Sequence, residues 1–171
     1  MKFLTAMIIG IILTSCGSGT EKKTENESAW QILQVKDEFG DIVEGKSTIA
    51  ADFEGTMSNF AVSGAELTVR MQVEDSTIYS TFYEYSREPQ AQLPDSKFLT
   101  IKVKVSNGEV LEAKQFLYGN MMVDSDKELL KILLSQDKPV KVIADISRAD
   151  KYANGIYNFD IDPSGLKEVL K

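Results

Sequence analysis

Leu67, Val69, Met71 and Val73 alternate with Glu66, Thr68, Arg70 and Gln72, and Leu99, Ile101, Val103 and Val105 alternate with Thr100, Lys102 and Lys104. In an extended chain successive side chains point to opposite faces, so a period of two marks strands with one apolar face buried and one polar face solvated. Val140, Val142, Ala144 and Ile146 repeat the pattern, as do Tyr157, Phe159 and Ile161. Less regular candidates at residues 30–35, 48–53, 77–85 and 110–117 bring the total to about eight strands. Such a chain must pair its strands and cover their apolar faces against one another.

Punctuation between the runs agrees. Asn107-Gly108 stands between two alternating segments and predicts a hairpin with a type I′ turn, whose two central residues both need positive φ. One helix interrupts the series over residues 125–134. There Ser125 and Glu128 have the spacing of a capping box, Leu129, Leu130, Ile132, Leu133 and Leu134 follow, and Pro139 stops continuation. A last short helical turn is expected over residues 164–170, with Leu166, Val169 and Leu170 on its apolar side. The fold expected is mainly β: an antiparallel β-sandwich of about eight strands with one inserted helix and a short C-terminal helix. A closed barrel is the alternative, because periodicity does not separate the two.

The chain has 171 residues, 43% of them hydrophobic and 26% charged, which is ordinary for a globular protein. Setting aside a leader and a tether, it supplies about 140 residues, the size of one domain. The net charge of −7 repels phosphate backbones, and no basic patch of the kind that releases counterions is visible, so nucleic acid is not an expected partner. There is no histidine, which removes the usual general base near neutral pH and the commonest zinc ligand. The single cysteine, Cys16, cannot make an internal disulfide.

The first 28 residues read as an address and a tether. Lys2 supplies a positive charge, residues 3–13 form an apolar run, and Leu13-Thr14-Ser15-Cys16 follows. Eleven residues at 1.5 Å rise cover about half of a bilayer core, so the run is a leader and not a spanning helix. These sixteen residues resemble the bacterial lipoprotein signal family, whose lipobox places a leucine-like residue and two small residues before the acylated cysteine. The resemblance implies cleavage between Ser15 and Cys16, with lipid attached to Cys16. Residues 17–28, GSGTEKKTENES, contain no large apolar side chain and have the composition of a flexible spacer. Gly17 and Ser18 follow the cysteine without the aspartate that marks inner-membrane retention in that family, which implies an outer-membrane position facing the periplasm. The organisation expected is a signal peptide at 1–15, the lipidated cysteine and tether at 16–28, and one domain at 29–171, monomeric in solution.

The domain carries a second resemblance. Trp30, the Lys36-Asp37-Glu38-Phe39-Gly40-Asp41 stretch, the strands at 67–70 and 99–105, the leucine-rich helix, and the closing Tyr157-Asn158-Phe159-Asp160 with Gly165-Leu166 look like small β-sandwich domains of uncharacterised envelope and phage-borne lipoproteins. They are distantly similar to the VasI/TagO accessory proteins of type VI secretion. This implies a fold and an envelope setting, and it brings no catalytic residue with it.

Several clusters suggest chemistry. Asp37, Glu38, Asp41 and Glu44 lie near Gly40 and Gly45 and invite a calcium test, but position 3 of an EF-hand loop begun at Asp37 would be Phe39, so the stretch reads as a solvated hairpin turn. Asp145, Asp150, Asp160 and Asp162 offer carboxylates of the kind glycosidases pair across a cleft, with no spacing that selects a pair. Tyr79, Tyr83 and Tyr85 share one face of a strand whose other face carries Ile78 and Phe82, which makes the tyrosines the candidate binding face. Trp30, the only tryptophan, is expected to anchor the core. The function expected is that of a non-enzymatic binding or accessory module of the envelope, without cofactor or metal, that meets a protein partner through a sheet face or strand edge. The alternatives are a histidine-free, carboxylate-based hydrolase and an immunity or superinfection-exclusion lipoprotein.

Overall fold

A computed structural model describes residues 28–84, 88–89, 93, 96–149 and 155–171. The leader, Cys16 and the tether up to residue 27 lie outside the described residues, as do Tyr85 and Asp150. The strands are β1 (Gln31–Lys36), β2 (Ile42–Ser58), β3 (Ala65–Glu74), β4 (Thr77–Glu84), β5 (Glu88–Pro89), β6 (Lys97–Lys104), β7 (Val110–Tyr118), β8 (Met121–Val123), β9 (Val140–Asp145) and β10 (Ile156–Ile161). Two short helices, α1 (Glu128–Leu134) and α2 (Leu166–Val169), complete the order with a 3-10 turn at Ile146–Arg148.

Every pairing is antiparallel, and the strands close on themselves: β2, β10, β9, β6, β7, β8, β4 and β3, with β3 returning to β2. The architecture is therefore mainly β as expected, but it is an eight-stranded antiparallel barrel and not the sandwich. The alternation is the same in both, since each strand turns one face inward. What separates them is the pairing of β2 with β10 through Gly55–Ser58 and Ile156–Phe159, about a hundred residues apart, which no local pattern announces. Gly55 makes that seam possible. It lies between Leu67 and Phe159, and a Cβ at this position would come within 2.7 Å of the Phe159 Cβ.

Side chains fill the interior. Val69, Met71, Ile78, Phe82, Ile101, Val103, Leu117, Met122, Val142 and Ile161 are fully or almost fully buried there. Phe82 packs on Tyr157 and Phe159 at ring separations of 4.9 and 6.0 Å. Leu129 and Leu133 of α1 and Leu166 of α2 join the same core. Trp30 anchors it as expected: the ring is 2% exposed, stands 5.5 Å from Phe53, and donates from Nε1 to the Asp162 carbonyl at 2.8 Å.

Two local expectations change. The α1 cap is not Ser125. The helix starts after Lys127, which adopts φ 58°, and the Asp124 carboxylate accepts from the N–H groups of Leu129 and Leu130 at 3.1 and 2.8 Å. At the 105–109 hairpin only Gly108 takes positive φ, so the turn is not type I′. The pair with positive φ at both centres is instead Asp75-Ser76 between β3 and β4.

β2 is 17 residues long, and its pairing with β3 begins only at Ile49. Residues 42–48 therefore run past the barrel mouth with β1 alone beside them. β1 follows the end of β10 along the same edge of β2, tied there by the Trp30 bond and by Ser28 Oγ donating to the Ser164 carbonyl at 3.0 Å. The result is a two-stranded arm, joined at its tip by residues 37–41, whose Asp37 carboxylate accepts from the N–H groups of Phe39 and Asp41.

Candidate functional site

With the inside of the barrel occupied by side chains, the chemistry open to another molecule lies on the outer wall and the arm. In β4, Ile78, Ser80 and Phe82 point inward and are wholly buried, while Tyr79 and Tyr83 point outward and are half-buried. The two tyrosines thus lie on the outer wall, on the face opposite Ile78 and Phe82.

The register extends Tyr79 into a row that single-strand reading misses. Tyr79 pairs with Val123, Val123 with Phe116, and Phe116 with Phe98, so four apolar side chains lie side by side across β4, β8, β7 and β6. The next row brings Tyr118 opposite Met121 and Met121 opposite Thr81. Phe98 is 54% exposed and Tyr118 59%. Phe98 packs on Phe116 at a ring separation of 5.3 Å, and Lys114 Nζ stands 4.2 Å above the Phe98 ring. An ammonium over an aromatic face is held by the ring quadrupole, so Lys114 and Phe98 form one amphipathic contact surface. Phe98 and Phe116 each sit in an alternating strand, but only the β6–β7 register sets them beside each other.

The other end of this wall is polar. Arg70 donates from Nε and Nη2 to the two carboxylate oxygens of Asp52, each at 2.8 Å, with its guanidinium 5.8 Å from the Tyr83 ring. The hydrogen-bonded Asp52 carboxylate holds the Arg70 guanidinium above the ordinary arginine range. Fork-to-fork pairing of this kind fixes both side chains, which gives Tyr83 a rigid, charged neighbour.

Of the carboxylates read as possible acid pairs, Asp150 lies outside the described residues, and Asp145 and Asp160 stand apart. Asp145 and Asp160 face Ile156 and Lys141 across the β9–β10 pair, which puts four residues of strand, about 13 Å, between them. Asp145 accepts from Ser147 Oγ, and Asp162 accepts from the Ser164 N–H. Among the described residues no group of three histidine, cysteine, aspartate or glutamate side chains is gathered closely enough to hold a metal ion. Compared with protein-family models, with curated proteins and with solved structures, the chain matches none.

Proposed function

We propose that this chain is a lipid-anchored protein of the bacterial envelope, held through Cys16 and facing the periplasm from the outer membrane. Its barrel acts as a non-enzymatic binding or accessory module that meets a protein partner with its outer wall. The row Phe98, Phe116, Val123 and Tyr79 carries this reading, because it is contiguous apolar surface on the outside of a filled barrel, apart from the inward-facing core. The leader and lipobox supply the address, and the polar stretch 17–28 supplies reach.

Site-specific photo-cross-linking tests it. A photoreactive phenylalanine analogue is placed at Phe98 or Tyr79 and, as control, at Glu66 on β3, outside that row. A single adduct of constant mass from both wall positions, absent at Glu66, is expected. Absence of adduct at the wall, or the same adducts at Glu66, overturns the assignment. Metabolic labelling with a fatty-acid analogue tests the anchor: label is expected on the native chain and lost in Cys16→Ala, and label persisting on that variant contradicts it.

A further inference from the structure

Residues 28–47 stand outside the closed ring, and we propose that they form a strap, latched by Trp30, that opens as a unit while the barrel stays shut and so lengthens the tether of the domain. The ring closes without them: from Ile49 onward β2 has β3 on one side, and through Gly55–Ser58 it has β10 on the other. β1 pairs only with β2, and residues 42–47 of β2 pair only with β1. From Gln31 to Ile49 not one side chain is buried, and the large apolar ones, Ile32, Phe39 and Ile42, are 59%, 82% and 53% exposed. Burial of apolar surface is what holds most structure in place, and this stretch has almost none to lose. What remains is the ladder of a two-stranded ribbon, which is marginal by itself in water.

The strap is held at its N-terminal end. Trp30 is buried against Phe53 and donates from Nε1 to the Asp162 carbonyl. Ser28 Oγ accepts from the Trp30 N–H at 3.1 Å and donates to the Ser164 carbonyl at 3.0 Å. The seat for Ser28 needs the glycine that follows Ser164, because a Cβ on Gly165 would overlap the serine side chain. The other side-chain hydrogen bonds of residues 28–47 stay within them, from the N–H groups of Phe39 and Asp41 to Asp37. At the root, Thr48 Oγ1 donates to the Val73 carbonyl at 3.5 Å, which marks where β2 joins the ring. One buried ring and two serine bonds therefore hold a segment of twenty residues, and releasing them leaves the ring's own pairings intact.

Opening uncovers Trp30 and Phe53, so the latched form is the ground state, and the open form is a local excursion of the kind that loosely packed units make below global unfolding. Its consequence is reach. A coil of the length from Cys16 to Ser28 spans about 20 Å r.m.s., and one from Cys16 to Thr48 about 30 Å. A partner that meets the wall beyond the shorter span binds only the open form and shifts the population toward it. The gain in reach rests on the anchor proposed at Cys16; the opening of the strap does not.

Native-state hydrogen exchange on the purified whole chain, followed by NMR at urea concentrations below the unfolding transition, tests it. The chain has one tryptophan, so the Trp30 indole N–H is a single resonance that reads the latch. That proton and the amides bonded across the β1–β2 pair are expected to share one protection factor, at least about tenfold below that of β3, β6 and β10 in the ring. Their exchange should be nearly independent of urea, since little surface is exposed, while exchange in the ring rises steeply. Ser28→Ala should lower the protection of the strap about fivefold, the worth of a hydrogen bond or two. Leu133→Ala, in the core away from the strap, should lower protection in the ring and leave the strap unchanged; should that variant not fold, the urea series on the native chain decides alone. Three results would each overturn the inference: an indole N–H as protected as the ring, a strap whose exchange follows the ring in urea, and a Ser28→Ala strap no faster than the native one. Fatty-acid labelling of Cys16 is read separately, so loss of the anchor would remove the gain in reach and leave the strap standing.

Discussion

The Asp124 carboxylate is wholly buried and accepts three hydrogen bonds, from Leu129 N, Leu130 N and Gln115 Nε2. It thereby ties the start of α1 to β7. Asp124→Ala would strand those donors in the core, and at about 1–3 kcal/mol for each buried donor left unpaired the loss should exceed about 3 kcal/mol. Ser125→Ala touches an exposed side chain and should stay within about 0.5 kcal/mol. Urea midpoints of the two variants check the ordering; equal midpoints would contradict the cap assignment. The cap is only half legible in sequence: Asp124 and Ser125 are adjacent, and the Ser-x-x-Glu spacing points to the serine. What moves the helix start is the left-handed Lys127, which no neighbouring pattern foretells. Glu128, the other half of the expected box, instead accepts from the Lys114 N–H at 2.6 Å. Gly55 poses a second test at this scale. Gly55→Ala must push against the Phe159 Cβ, and overpacking of this sort costs about 1–3 kcal/mol. For a domain of this size that is a fall in Tm of about 2–4 °C per kcal/mol.

α1 shows how far periodicity carries at the scale of an element. Its leucine spacing announces a helix with a buried side, and Leu129, Leu130 and Leu133 are the buried ones. Leu133→Ala and Leu130→Ala should each cost about 2–5 kcal/mol, more than Ser125→Ala, by thermal or chemical denaturation. If both leave the midpoint unchanged, the helix does not plug the barrel. β8 is not legible: three residues, Met121–Val123, are too few to alternate, yet they join β4 to β7 and place Val123 in the aromatic row. In sequence the arm looks like two pieces, a strand at 30–35 and a solvated turn. Periodicity alone does not tell that the β2–β3 pairing ends at Val73 opposite Ile49 and leaves residues 42–48 beside β1 only.

At the scale of the whole molecule, the alternation settles which residues face inward and leaves open which strands meet. Closure decides how the outward-facing residues are grouped. A sandwich has four edges and two outer faces, whereas the barrel has one continuous wall, and β1, paired only with β2, stands outside the ring. Closure of the ring rests on the β2–β10 seam. Thr56 and Asn158 are outward-facing partners across it, and an oxidised Thr56→Cys/Asn158→Cys chain reads the seam directly. The barrel predicts rapid formation of an intramolecular 56–158 disulfide at monomer mass, with the native circular dichroism retained. Two free thiols after oxidation, or linkage only between chains, would mean that β2 and β10 are not neighbours and that the barrel is open.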